Sequence, residues 1–263
     1  MRYTQSMKAF HLLLVASLTF VVPSFAADSS IIAAGAKLEK LGDGYVFTEG
    51  PAVDKDGNLI ACADEKNELW SITLDKKVAV LVKDFHGKLL NGPNDLWIRP
   101  DGGIYFTDPL YPRPYWKRDK TMQQDGQHVY FMTPNRKNVQ RVATDLKQPN
   151  GIIGTPDGKT LYVADIGARK TYSYEIQSSG DLTNKQLFCE LGSDGMTIDN
   201  EGNVYLTGKG VTVFDKTGKQ IEQIPVAENW TGNVIFGGKE RDLLFITASK
   251  GVYGLKMRVK GVK

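Results

Sequence analysis

The sequence predicts an all-β fold, a β-propeller of five four-stranded blades. Three observations predict it. Beyond residue 26 helical periodicity is nearly absent, and short apolar or alternating runs are bounded by Gly, Asp, Asn and Pro, the pattern of strands and turns. One phrase, a short strand, a tight turn and a second, more apolar strand, occurs five times: EGPAVDKDGNLIACAD from Glu49, NDLWIRPDGGIYFTD from Asn94, NGIIGTPDGKTLYVAD from Asn150, DGMTIDNEGNVYLTG from Asp194 and NVIFGGKERDLLFITA from Asn233. The copies begin 45, 56, 44 and 39 residues apart, near the ~40–45-residue period of propeller repeats. A β-sandwich does not require one hairpin at a regular period.

The elements follow in order. Residues 1–26 combine Arg2 and Lys8 with the apolar run FHLLLVASLTFVV and a small-x-small ending at Ala26. This is the pattern of a cleaved secretory signal peptide, and the run is short for a membrane span. The expectation is a periplasmic or secreted protein, free of the membrane after cleavage, with residues 27–263 as one domain. The first copy is followed by ELWSIT and VAVLV, the second by HVYFMT and VQRVAT, the third by KTYSYEI and KQLFCE, and the fourth by GVTVFD and KQIEQIPV. The fifth is followed only by GVYGLKM, so its outer strand is expected from AKLEKLG near the N-terminus. That closure is a propeller's way of avoiding a bare sheet edge.

Composition narrows the partners. The formal charge is +3, reduced once Arg2 and Lys8 are removed, which is no electrostatic footprint for nucleic acid or anionic lipid. Cys62 and Cys189 are the two cysteines, so no disulfide scaffold is expected. His86 and His128 are the histidines beyond the leader, and neither starts a repeat, which argues against a histidine-based zinc site or a Ser-His-Asp triad. His128 reads as a strand residue.

Counting back seven residues from the turn acids Asp56, Asp101, Asp157, Glu201 and Glu240 reaches Glu49, Asn94, Asn150, Asp194 and Asn233. All five carry a side-chain oxygen acceptor. In a propeller the positions just before each innermost strand surround the mouth of the channel, so these oxygens are expected to converge. An oxygen ring without His or Cys suits a hard divalent cation, Ca²⁺ before Zn²⁺. The competing structural role is Asx capping of the turn before each strand. The second copy carries the longest insertion, DPLYPRPYWKRDKTMQQDG, and long loops in compact domains are often functional. It is read as a wall over the mouth, with Tyr111 and Trp116 as substrate contacts.

The motifs FTEGPAVDKDG, LLNGPNDLWIRPDGGIYFTDP, QPNGIIGTPDGKTLYVAD and GSDGMTIDNEGNVYLTG resemble the gluconolactonase, regucalcin (senescence marker protein) and luciferin-regenerating enzyme family, in particular its secreted bacterial gluconolactonases. The resemblance implies a propeller with a central Ca²⁺, or another divalent ion such as Zn²⁺, Mg²⁺ or Mn²⁺. It implies Glu49, Asn150 and Asp194 as metal ligands and Asn94 as a ligand or substrate contact. Two departures stand out. Regucalcin-like members place an Arg two residues before the Asn of PND, where this chain has Gly92. The family is six-bladed with two blades between its EGP and PND motifs, whereas here they lie 45 residues apart. One repeat is therefore missing, with its junction at Asp56-Gly57, and five blades, closed or gapped, are expected. The expected activity is hydrolysis of a sugar lactone with Asp194 as general base, by a monomer acting on a small molecule. The alternative is a non-catalytic secreted propeller that binds a sugar or protein, its site damaged by the lost blade.

Overall fold

The structure, a computed structural model, describes residues 29–45, 50 and 52–262. The leader expected over 1–26 and the expected ligand Glu49 lie outside the described residues. The first strand, β1 (Glu39–Gly42), does not join the blade that follows it in sequence. Blade one is β2 (Ala52–Val53), β3 (Leu59–Ala63), β4 (Glu68–Ile72) and β5 (Val78–Val82); blade two is β6 (Leu96–Ile98), β7 (Ile104–Asp108), β8 (His128–Met132) and β9 (Val139–Ala143). Blade three is β10 (Pro149–Gly154), β11 (Thr160–Asp165), β12 (Lys170–Ile176) and β13 (Leu182–Cys189); blade four is β14 (Met196–Ile198), β15 (Val204–Gly208), β16 (Gly210–Phe214) and β17 (Gln220–Ile224). Blade five, β18 (Thr231–Gly237), β19 (Leu243–Ala248) and β20 (Gly251–Lys256), is completed on its outer edge by β1, with Glu39 opposite Gly254 and Lys40 opposite Tyr253. The five blades and the N-terminal closure are those the repeat predicts.

Every sheet is antiparallel. The innermost strands β2, β6, β10, β14 and β18 all line one central cavity of about 250 Å³. Each begins at the same end of the channel and turns at the other. The turns after the first four use Gly57, Gly102, Gly158 and Gly202 at φ between +70° and +91°, a region open to glycine because it lacks a Cβ. Antiparallel alternation then returns the end of each second strand to the starting mouth. At the base the chain after β20 crosses the channel. Asn200 N–H donates to Lys260 O at 2.8 Å, Gly261 N–H donates to Arg241 O at 2.8 Å, and Val262 lines the cavity.

The apolar core is divided among the blade interfaces. Ile60, Leu69 and Val82 of blade one pack with Leu96, Ile104, Phe106 and Tyr130 of blade two. Tyr105, Val129 and Phe131 pack with Ile152, Leu161 and Val163 across blades two and three. Tyr162, Ala164 and Cys189 meet Met196, Val204 and Leu206 across three and four, and Tyr205, Val211 and Val213 meet Val234, Leu244 and Ile246 across four and five. Among the described residues no buried apolar cluster joins blade five to blade one. Val53 and Ile235, on those two inner strands, are 61% and 54% exposed. The inner ends still approach, since a Cβ on Gly50 would lie 3.2 Å from the Asn233 amide. Among the described residues, the joint between blades five and one thus shows contact at its inner ends and no buried apolar cluster.

Candidate active site at the propeller mouth

Backbone stitching at the mouth sets the positions of the oxygen ligands. Asn94 N–H donates to Thr107 O at 3.0 Å and Asp194 N–H to Thr207 O at 3.4 Å, so these residues hold equivalent places on blades two and four. Neighbouring entries are tied directly: Gly151 N–H donates to Ser193 O at 3.3 Å, and Gly195 N–H to Gly232 O at 2.8 Å. A Cβ on Gly151 would fall 2.5 Å from Asp194 O. The glycines after Asn150 and Asp194 thus let adjacent inner strands approach closely, for a Cβ on Gly195 would likewise run into the Asn233 amide.

The last residue of the second strand fastens the segment that leads into the first. In blade two Asp108 accepts from Asn91 N–H at 2.9 Å and Gly92 N–H at 2.8 Å. In blade three Asp165 accepts from Lys147 and Gln148 N–H at 2.8 and 2.9 Å. In blade four that position is Gly208, and the Ser193 hydroxyl performs the tie, accepting from Thr207 N–H at 2.7 Å and donating to Gly195 O at 2.7 Å.

On this frame Asn150 and Asp194 meet. Asn150 is buried, and its Nδ2 donates to Asp194 Oδ1 at 3.0 Å and to the Tyr111 hydroxyl oxygen at 3.1 Å. The carboxylate fixes the orientation of the amide, because only its NH₂ end can face an acceptor. Asn150 Oδ1 is left buried with no hydrogen-bond partner. The other carboxylate oxygen, Asp194 Oδ2, accepts from the indole Nε1 of Trp230 at 2.6 Å. Burial pushes the Asp194 carboxyl above its ordinary range, against the lowering pull of the Trp230 and Asn150 donors and of the Arg113 charge. Burial likewise pushes the Tyr111 phenol up to about 12, so it keeps its proton at neutral pH.

The expected site residues fall into three groups. Asn150, Asp194 and Tyr111 are brought into direct contact. Asn94 sits at its predicted position, half-buried, without a hydrogen bond to that trio among the described residues. Asn233 corrects the five-oxygen count. Its N–H donates to Thr247 Oγ1 at 3.0 Å, as Asp95 N–H does to Thr107 Oγ1 at 3.1 Å and Gly195 N–H to Thr207 Oγ1 at 2.8 Å. Asn233 is therefore the counterpart of Asp95 and Gly195, one residue deeper in the channel, and Gly232 holds the mouth position. The irregular fifth turn shifts the seven-residue count by one.

The 108–126 loop reaches across to the short helix Asp64–Lys66 of blade one. The Arg118 guanidinium donates to Asp64 O at 2.8 Å and Asn91 O at 2.6 Å. Trp116 is 4% exposed, with Arg118 stacked 3.6 Å from its ring centroid. The loop thus presents Tyr111 to the mouth, while Trp116 is packed inside it. A Cβ at Gly92 would meet Arg118 Nη2 at 3.0 Å and Trp116 at 3.3 Å, so this loop occupies the space beside the position where regucalcin-like proteins carry Arg. Arg113 lies 5.4 Å from the Tyr111 ring and 3.7 Å from Asp64 Oδ2. His128 is a buried strand residue whose Nε2 lies 3.0 Å from Asp125 Oδ1. Sequence reasoning passed over Trp230, which lies outside every repeat phrase. It also passed over Asp108 and Asp165, whose recurrence at the ends of IYFTD and LYVAD was the available signal.

The acceptor set fits a hard cation: a carboxylate, an orphaned buried amide oxygen beside it and a half-buried Asn, with no sulfur or imidazole. The chain is 30% identical to lactonohydrolase oryL of Aspergillus oryzae over 85% of this chain and 60% of that protein. It is 26% identical to a gluconolactonase of Zymomonas mobilis over 81% of this chain and 64% of that protein. The chain thus spans about three fifths of the length of these curated relatives. A solved gluconolactonase from Xanthomonas campestris superposes with a TM-score of 0.79 at 25% identity, covering 90% of this chain and 99% of that one. The profile of the SMP-30/gluconolactonase/LRE-like region matches residues 29–250, and with its motif order and blade architecture the chain belongs to that family.

Proposed function

We propose that the protein hydrolyses a sugar lactone at its propeller mouth, with a divalent cation held by Asn150 Oδ1, Asp194 and Asn94, joined by Glu49 as the motif resemblance implies. The observation that carries this reading is the buried, unpartnered Asn150 Oδ1 held beside the Asp194 carboxylate. Leaving a buried acceptor unmet costs about 1–3 kcal/mol, which a bound cation relieves. When bound, the cation supplies charge stabilisation for a developing oxyanion.

The chain's own groups divide the remaining work. Asp194 takes the proton from the attacking water. The indole of Trp230 holds its second oxygen, so one lobe of the carboxylate stays aimed while the other works. The Tyr111 oxygen is already accepting from Asn150, so its O–H is left to donate, and it is placed to hold a substrate oxygen. Arg113 adds positive potential near both groups.

The test pairs two readouts on the purified protein. Calcium titration by calorimetry is expected to show binding that Asp194→Ala abolishes and Asn150→Ala weakens. Acid release from gluconolactone is expected to exceed the spontaneous rate with Ca²⁺, Mg²⁺, Mn²⁺ or Zn²⁺, and Asp194→Asn to lower turnover about 10²–10⁴-fold. A folded protein that binds none of these ions and opens no lactone refutes the proposal.

A further inference from the structure

A second concavity lies on the same face as the mouth. It is a cleft of about 540 Å³ between blades three and four, in the size range of small-molecule sites. Its walls are the strand-end segments that antiparallel alternation brings to that face: Ile166 and Arg169 after β11, Leu191 before β14, the Gly208-Lys209-Gly210 hairpin, and Pro225 and Val226 after β17. Trp230 lines it too. The same indole that donates to Asp194 reaches Gly208 with its far edge, since a Cβ there would lie 3.8 Å from Trp230 Cη2. One side of this ring therefore touches the proposed base and the other forms the cleft wall.

The charge of the cleft is one-signed. Arg169 and Lys209 are its ionisable lining residues, both exposed, and no carboxylate lines it. Neither takes part in the ion pairs of the described residues. Of the acids at the neighbouring strand ends, Asp165 is buried and committed to backbone donors at Lys147, Gln148 and Ala168, and Glu190, exposed next to Leu191, does not line the cleft. Lys209 is held at the tip of a tight hairpin whose Gly208 and Gly210 are directly paired, and Gln223 Nε2 donates to the Lys209 carbonyl at 3.2 Å. Both cations are thus mounted on short, fixed turns and project over an apolar floor one indole width from Asp194.

Resting on the lactonase reading, we infer that this cleft is a subsite for an anionic substituent on the lactone, at the end away from the scissile carbonyl. The ring stacks on the exposed face of Trp230, and the distal anion lies between Arg169 and Lys209. The substrate class favoured is a lactone of a sugar diacid over the corresponding neutral aldonolactone. Both cations are exposed, so each contact has the modest strength of a surface ion pair.

The experiment compares glucono-γ-lactone with glucaro-γ-lactone, which differ by a carboxylate in place of the terminal hydroxymethyl. Wild-type protein is measured beside Arg169→Gln/Lys209→Gln. Two charged contacts predict a roughly tenfold higher kcat/KM for the diacid lactone. That preference falls with added salt and disappears in the double variant, whose rate on the neutral lactone is unchanged. Arg169→Glu/Lys209→Glu reverses it. Equal rates on both lactones in wild type, or a preference that survives in the double variant, overturns the inference. In parallel, calorimetry in metal-free buffer compares binding of glucarate and the neutral alditol glucitol. If no lactone is opened, the proposed function fails and the cleft is judged by binding alone. Glucarate bound more tightly than glucitol, with the difference lost in the double variant, sustains it; equal or absent binding overturns it.

Discussion

Two side chains set how the protein responds to pH, Trp230 through the mouth and Asp108 through stability. Trp230 holds Asp194 through a 2.6 Å hydrogen bond, and this donor lowers a carboxyl that burial otherwise raises. Trp230→Phe keeps the ring and removes the donor. A roughly tenfold fall in kcat/KM is expected, as for a charge-assisted hydrogen bond. The acid limb of the pH–rate profile is expected to move to higher pH, because the base form of Asp194 loses a stabilising partner. Asp108 gives a pH dependence of stability. It is fully buried, and burial pushes its carboxyl up to about 7 despite donors from Gly92 and Asn91. A folded-state value above the ordinary carboxylate range means that the native state holds the proton more tightly than the unfolded chain. Its stabilising contribution is complete in acid and is lost as pH rises through about 7. Thermal melts are therefore expected to show wild type losing its lead over Asp108→Asn between roughly pH 4 and 7, with no further change above that range. A lead that grows across that range contradicts this assignment.

At the scale of elements, the 108–126 loop is held by one guanidinium. Arg118 donates to two backbone carbonyls of different blades and covers Trp116. Arg118→Ala is expected to destabilise the protein by about 1–3 kcal/mol, since carbonyls bound by a charged donor lose it. Limited proteolysis is expected to cut first between Pro112 and Thr121. The loop was visible in the sequence as an insertion, and its aromatics suggested a wall. Which aromatic faces the mouth was not visible, because Trp116 and Tyr111 are alike in type and are sorted only by Arg118's reach to blade one. Mouth residues were legible where the turn was regular. Asn94, Asn150 and Asp194 precede turns of the same bond pattern, with Gly102, Gly158 and Gly202 N–H donating back to Arg99, Thr155 and Asp199. In the fifth turn Arg241, at φ +56°, stands where the others have that glycine, and Gly238 takes a positive φ three residues earlier; there the count to Asn233 slipped by one. Trp230 was illegible for another reason: it acts from a connection between blades, where no periodic constraint marks it.

For the whole molecule, the blade count was legible because each blade repeats a hairpin that cannot bury itself alone. The distribution of the core was not, because it depends on which faces meet after closure. Four interfaces bury apolar clusters, while blades five and one meet with Val53 and Ile235 exposed. Ile60→Ala or Ile246→Ala, at positions 0% exposed, is expected to cost about 2–5 kcal/mol in denaturant melts. Val53→Ser and Ile235→Ser are expected to stay within about 0.5 kcal/mol. Large losses at Val53 and Ile235 would mean that this seam is packed after all. A joint with no buried apolar cluster among the described residues also has a meaning for descent. Inserting or deleting a repeat there disturbs none of the four packed interfaces, so neighbours on either side keep their shapes while the number of members changes. A change of number at this joint would also leave the Asn150–Asp194 pair of blades three and four where it is.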